Sequence, residues 1–174
     1  MSKPFENLKI YYSGSMNGAP EPDPEFAWKL VQYMIQNGAD VPSEHVSART
    51  LQEREEIIAR RSGKTIEQLK SNPPSDSNIY TQDLEWVDQA THLVALVNGP
   101  SLGVGMEIEH AILKPRLGLN ETPILCLVQQ DIRPRLSRMV SGISLQKAPN
   151  FQLRTYQNLD QAQQHIFDFL TIRK

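Results

Sequence analysis

Two stretches of this chain are apolar almost without a break: His92 to Val97 (HLVALV) and Thr122 to Val128 (TPILCLV). A strand with one wet face alternates apolar and polar residues. A strand apolar at nearly every position needs cover on both faces, which is the situation inside a parallel sheet flanked by helices. This requirement governs how the rest of the chain is read.

Leu8 to Tyr12 reads as a first strand, running into the small-residue loop Ser13-Gly14-Ser15-Met16-Asn17-Gly18-Ala19. Pro24 to Asn37 has the helical spacing Phe26, Leu30, Val31, Tyr33, Met34, with Pro24 near the first turn and Asn37-Gly38 as its stop. Ala39 to Val41 is expected to be a brief second strand. Thr50 to Lys70 is charged and reads as helix in two pieces broken at Ser62-Gly63, followed by a loop over Ser71 to Asn78 and a helix from Ile79 to Ala90. In that helix Leu84, Val87 and Thr91 are expected to share one face and Asp83 another. Helix resumes within Asn98 to Gly105 and continues through Glu107 to Lys114, with a short helix at Pro134 to Val140. Phe151 to Tyr156 is the fifth expected strand and Leu159 to Ile172 the closing helix. Strand and helix alternate throughout. The expected fold class is therefore α/β: one flavodoxin- or Rossmann-like domain with a five-stranded, mostly parallel sheet and helices on both sides. The charged segment at about 50–78 is expected to be a helical insertion or lid, or else a solvated surface.

A length of 174 residues suits one domain. The net charge of −2 argues against a nucleic acid polymer as partner, though a few local donors suffice for one small anion. Cys126 is the single cysteine, so no internal disulfide forms; it lies in an apolar strand and reads as an inert buried thiol. No signal-peptide core and no run of about 20 apolar residues is present. The expected location is a reduced compartment, the cytoplasm or the nucleus, without a membrane. His45, His92, His110 and His165 are scattered, so neither metal nor other cofactor is expected.

In doubly wound sheets ligands bind beyond the carboxyl ends of the strands. The loop Gly14-Ser15-Met16-Asn17-Gly18 is either a turn or an anion cradle. Ser101 either caps a helix or binds an anion. Glu107 is placed in or near that helix's first turn. There the dipole would keep its carboxylate ionised, as a nucleophile, a base or simply a solvated acid. Asp83 is either a solvated helix acid or the second carboxylate of a pair, since glycosidic cleavage needs one ionised carboxylate and one proton donor. Glu44-His45 follows the second expected strand, and His45 either contacts a ligand or is structural.

Taken together, Ile10-Tyr11-Tyr12-Ser13-Gly14-Ser15, Glu44-His45-Val46, Gln82-Asp83-Leu84-Glu85-Trp86, Pro100-Ser101-Leu102-Gly103-Val104-Gly105-Met106-Glu107 and Pro123-Ile124-Leu125-Cys126-Leu127 with Arg135-Leu136-Ser137-Arg138-Met139 resemble the nucleoside 2-deoxyribosyltransferase superfamily. The resemblance is closest to its 2′-deoxynucleoside 5′-monophosphate N-glycosidase branch. It implies that Glu107 attacks the anomeric carbon, that Asp83 protonates the leaving base and that Tyr11 orients the nucleophile. It implies a phosphate site from Gly14, Ser15, Met16, Asn17, Gly18, Ser101 and Gly103. It also implies a nucleotide-lining loop at Glu44 and His45, and a homodimer in which Ser137 reaches the phosphate in trans. The chain departs from the pattern at Asn17, where an arginine is expected; Arg135 or Arg138 could compensate. The implied activity is hydrolysis of the N-glycosidic bond of a nucleoside 5′-monophosphate. Two alternatives remain: a transferase moving deoxyribose between bases, and a nucleotide-sensing module without turnover.

Overall fold

The computed structural model describes residues 2–15 and 23–172. Its elements are β1 (Ile10–Gly14), α1 (Phe26–Gln36), a 3-10 turn at Glu44–Ser47, α2 (Leu51–Ser62), α3 (Ile66–Ser71), α4 (Asp76–Gln89) and β2 (His92–Leu96). They continue with α5 (Leu102–Leu113), β3 (Ile124–Gln129), α6 (Arg138–Ser141), β4 (Phe151–Tyr156) and α7 (Leu159–Thr171). Further 3-10 turns lie at Lys114–Leu117 and Arg133–Arg135. The four strands pair in parallel in the order β1-β2-β3-β4.

Side-chain alternation divides the core into two layers. Ile10, Tyr12, Val94, Leu96, Leu125 and Leu127 pack with Leu30, Val31 and Met34 of α1 and Ile166 and Phe169 of α7. Tyr11, Leu93, Ala95, Ile124 and Cys126 pack on the opposite face with Val87 of α4 and Val104, Ile108 and Ala111 of α5. Covered on both sides, β2 and β3 are the uninterrupted apolar strands their sequence requires. Burial pushes the Cys126 thiol up to about 12.

The expected fifth strand at Ala39–Val41 reduces to a single parallel bridge, Lys9 to Asp40. Pro42 has no N–H to extend that ladder. Instead the Ser43 hydroxyl accepts from the Tyr12 N–H and donates to the Tyr12 carbonyl, both at 2.8 Å. The sheet thus has four strands, and the loop after Asp40 is riveted to the outer edge of β1.

Other boundaries move for local reasons. β1 begins at Ile10 and extends through Ser13 and Gly14, residues expected in the loop. α4 starts at Asp76 rather than Ile79, because the Ser75 hydroxyl accepts from the Asn78 N–H and so caps the helix just past Pro73-Pro74. The break between α2 and α3 falls where expected, with Gly63 in the left-handed conformation that ends α2. The helix expected at Pro134–Val140 divides into the Arg133–Arg135 turn and α6. Among the described residues no helix is long and apolar enough to cross a membrane.

Lys114 is fully buried at the end of α5. Its ammonium donates to the carbonyls of Val87 and Asp88, at 2.9 and 2.8 Å, and to the Thr122 hydroxyl. These carbonyls belong to the last turn of α4, where the Val87 carbonyl also accepts the Ala90 N–H, so the lysine fixes that helix end against the sheet. Burial lowers the Lys114 pKa, with the Asp88 charge opposing. Lys114→Ala removes all three of these hydrogen bonds from a buried site. Urea unfolding is expected to show a loss of about 3 kcal/mol or more, and an unchanged denaturation midpoint would contradict this role.

Candidate active site

Tyr11 and Ser13 are two residues apart on β1 and therefore project from the same face, each 1% exposed. Glu107 belongs to the stripe of α5 that turns Val104, Ile108 and Ala111 toward that face. The Tyr11 hydroxyl donates to Glu107 Oε1 at 2.9 Å, and the Ser13 hydroxyl donates to Glu107 Oε2. Both carboxylate oxygens are held, each by a neutral donor on the same strand.

The helix dipole plays a smaller part than the sequence suggests. α5 starts at Leu102, after the cap at Ser101, so Glu107 lies in the second turn, beyond most of the terminal field. Burial is the larger influence and pushes the Glu107 pKa up, while the hydrogen bonds from Ser13 and Tyr11 pull it down.

Asp83 reaches the same place from α4. It is half-buried, and at spacings of three, four and seven it shares its stripe with Trp86, Val87 and Ala90. The expected separation of Asp83 from the Val87 face is thus corrected: a stripe from 83 through 87 to 90 turns inward, while Leu84 lines a different surface. Burial raises the Asp83 pKa to about 6, the Glu107 charge raises it too, and the Arg54 charge opposes. The Tyr11 phenol is pushed upward by burial first, then by the charges of Glu107 and Asp83. One buried phenol therefore feels both carboxylates, which brings the three residues into a single cluster.

His45 stands beside this cluster in the 3-10 turn, its ring edge-on to Trp86 with centroids 5.8 Å apart. Burial, then the charges of Arg54 and Arg61, lower its pKa to about 4, with Glu44 opposing. The imidazole is neutral at pH 7. Glu44 is occupied by other partners: its carboxylate meets Arg60 at 2.8 Å, Arg61 at 3.4 Å and Gln32 at 3.5 Å. Arg61 also pairs with Asp40 at 3.1 Å. These contacts tie α2 to the loop that carries His45.

The residues expected around a phosphate are more dispersed. Gly14 ends β1, and a Cβ there would come within 2.9 Å of the Tyr12 hydroxyl oxygen. Ser15 follows it, partly buried. Met16, Asn17 and Gly18 lie outside the described residues. Ser101 accepts from the Val104 N–H at 3.3 Å as the cap of α5, and Gly103 is exposed in the first turn. Ser101 and Ser137 line one broad groove of 1380 Å³, with Tyr80, Leu84, Leu102 and Met139. Glu107, Asp83 and Tyr11 do not line it. α4 and α5 thus present acids on one side and an apolar groove on another.

Three residues of this neighbourhood escaped sequence reasoning about the site: Ser13, Trp86 and Arg54. Ser13 becomes visible once β1 is extended by two residues, since its parity then matches that of Tyr11. Trp86 could be found from its spacing to Asp83. Arg54 had no local signal, because α2 is placed by ion pairs to Glu44 and Asp40 that its own helical period does not record.

Two carboxyl groups of unequal environment at the carboxyl end of a parallel sheet are the equipment of a glycosidase. Comparison with known proteins agrees. The chain is 33% identical over 164 residues to a Trichoplax adhaerens chain assigned as 2′-deoxynucleoside 5′-phosphate N-hydrolase 1, covering 94% of both chains. It is 31% identical over 168 residues to the 5-hydroxymethyl-dUMP N-hydrolase of Tetraodon nigroviridis, covering 96% of this chain and 100% of that one. With the human 5-hydroxymethyl-dUMP N-hydrolase the identity is 33% over 148 residues, covering 85% and 71%. The Clostridium botulinum CMP N-glycosidase BcmB shares the fold, with a TM-score of 0.56 and 14% identity over 91% of this chain and 97% of that one. No family model matches. The chain belongs to the 2′-deoxynucleoside 5′-phosphate N-hydrolase family.

The raised pKa of Asp83 has a consequence for stability. Its folded pKa of about 6 exceeds the ordinary 3.8, so the folded state holds this proton more tightly than the unfolded one. The carboxyl therefore destabilises the fold once ionised. That cost grows as pH rises from about 4 to 6 and is absent below. Asp83→Asn is expected to have a higher Tm than the wild type at pH 7.5, with the gap closing below pH 4. A gap independent of pH in thermal melts would show that Asp83 is not strained by ionisation.

Proposed function

We propose that this protein hydrolyses the N-glycosidic bond of (2′-deoxy)nucleoside 5′-monophosphates, releasing free base and (deoxy)ribose 5-phosphate through a glycosyl-enzyme intermediate on Glu107. The observation that carries this reading is the Glu107 carboxylate, held at both oxygens by Tyr11 and Ser13, with Asp83, whose proton affinity burial raises, alongside.

Glu107 attacks the anomeric carbon, forming a C–O bond as the C–N bond breaks. The bonding pair leaves with the base nitrogen, and Asp83 supplies the proton that neutralises it. Water then attacks the same carbon, loses a proton to the Asp83 carboxylate and frees Glu107. Positive charge accumulates on the sugar in the transition state, and a carboxylate with little water around it stabilises that charge strongly. Tyr11 and Ser13 hold the nucleophile in one orientation. His45 and Trp86 border the nucleotide, Glu44 anchors the loop of His45, and α2 with α3 forms a lid over the site. Gly14, Ser15, Met16, Asn17, Gly18, Ser101 and Gly103 serve the phosphate, whose binding energy positions the distant sugar carbon.

Glu107→Ala is expected to lower base release from a nucleoside monophosphate by at least about a thousandfold while still binding the nucleotide more tightly than the nucleoside. Chromatographic assay of free base and calorimetric Kd values test both halves. Near-normal kcat would remove Glu107 as nucleophile, and equal Kd values would remove the phosphate site.

A homodimer completes the proposal, with Ser137 given in trans to the partner's phosphate site. Leu102 and Met139 are 90% and 84% exposed at the groove, and Met106 is 52% exposed beside them. Apolar surface of this kind is characteristic of an interface. Gly105 of α5 also borders it, and among the described residues, apart from its two neighbours and its own helix backbone, no atom lies within 4 Å of where a Cβ would stand. Glycine weakens a helix, so its presence suits close approach of a second chain. Met139→Asp is expected to shift the protein from dimer to monomer in sedimentation velocity and to reduce turnover. A fully active monomeric wild type would overturn the assignment.

A further inference from the structure

Arg54 lies on α2 one turn before the buried Ile57 and two turns before Arg61. At spacings of three, four and seven these residues share the helix face docked on the Glu44–Ser47 turn. The docking is firm, because Arg60 and Arg61 pair with the buried Glu44, and Arg61 pairs again with Asp40. Near the other end of the helix, Arg49 bonds Glu53 and lies 4.2 Å over the Trp28 ring of α1. Between these anchors Arg54 is aimed inward. Its Nε is buried, and no described residue accepts a hydrogen bond from it. Its charge is felt by Asp83 and His45, yet among the described residues it forms no ion pair with either carboxylate of the cluster. A buried Nε–H without an acceptor is costly unless a ligand provides one.

Sheet order indicates which part of a ligand this is. The turn bearing His45 and the α2 helix attach to the outer edge of β1, through Asp40 and Ser43. Ser101 follows β2, and Ser137 follows β3. With β1 at one end of the sheet, Arg54 and the serines lie on opposite sides of Tyr11 and Glu107. A nucleotide with its anomeric carbon at Glu107 and its phosphate toward Ser101 therefore extends its base toward Asp83, His45 and Arg54.

We propose that Arg54 is a specificity-determining residue that donates hydrogen bonds to a carbonyl oxygen of the leaving base. This rests on the N-glycosidase reading of the site. Guanidinium has only donors, so it suits the carbonyl oxygens of uracil-type and 6-oxopurine bases and gains less from adenine, whose acceptors are ring nitrogens alone. As the C–N bond breaks, its electron pair enters the base ring and negative charge grows on that oxygen. The cation stabilises the departing base until Asp83 delivers the proton to nitrogen.

Calorimetric titration in the Glu107→Gln background tests the contact without turnover. Arg54→Gln is expected to weaken dUMP and dGMP about 10- to 100-fold, with dAMP and deoxyribose 5-phosphate shifted less than about threefold and Arg54→Lys intermediate. A uniform loss across all four ligands, or a loss on deoxyribose 5-phosphate alone, overturns the inference. So does a protein with native Arg54 that binds dAMP as tightly as dUMP and dGMP, a measurement that needs no change at Arg54. Failure of the N-glycosidase reading looks different: the wild type then releases no base from any nucleotide, whatever these Kd values are.

Discussion

The site depends on one contact: a glutamate carboxylate on a helix, gripped at both oxygens by hydroxyls two residues apart on the neighbouring strand. Burying an acid disfavours its ionised form, and Glu107 shows that cost in its raised pKa. Tyr11 and Ser13 offset part of it and also fix the direction of the oxygens. The grip exists because β1 runs through Ser13, so that both hydroxyls share one face, and because α5 turns its Val104–Ile108–Ala111 stripe to that face. A shift of either element by one residue would separate donor from acceptor.

Asp83 adds a second acid to this contact, in a different environment. The same burial acts on both acids, but only Glu107 receives the hydroxyl donors, and its charge in turn discourages ionisation of Asp83. Environment thus gives two chemically similar groups different surroundings, one held by hydroxyls and one with its proton affinity raised. The supporting frame is costly in its own way. Lys114 is buried with its ammonium on the end of α4, the helix that carries Asp83, and on Thr122. Glu44 is buried to hold α2 against the loop that carries His45. Charged groups so placed add specificity of position more than stability.

α4 and α5 each serve two surfaces. Asp83 and Glu107 face the carboxyl end of β1, while Leu84 and Leu102 border the open groove with Ser101 and Ser137. Chemistry and the candidate interface therefore share the same two helices, so packing of a second chain on the groove bears directly on the elements that position the acids.

Much of this was legible along the chain. HLVALV and TPILCLV demand a sheet covered on both faces, helix periods and stops locate α1 and α7, and the spaced motifs single out Tyr11, Asp83 and Glu107. Local patterns carry that information because burial in a strand or helix repeats every few residues. Other features were settled only by contacts between distant segments. The Ser43 hydroxyl replaces a fifth strand, Ser13 joins the grip on Glu107, and Asp83 turns inward with Val87. Arg54, carried by a helix bound to the Glu44 loop, comes near both His45 and the sequence-distant Asp83. The sequence by itself determined which groups could do chemistry; tertiary packing decided which of them meet, because proton affinity and hydrogen-bond partners depend on neighbours in space that no local periodicity records.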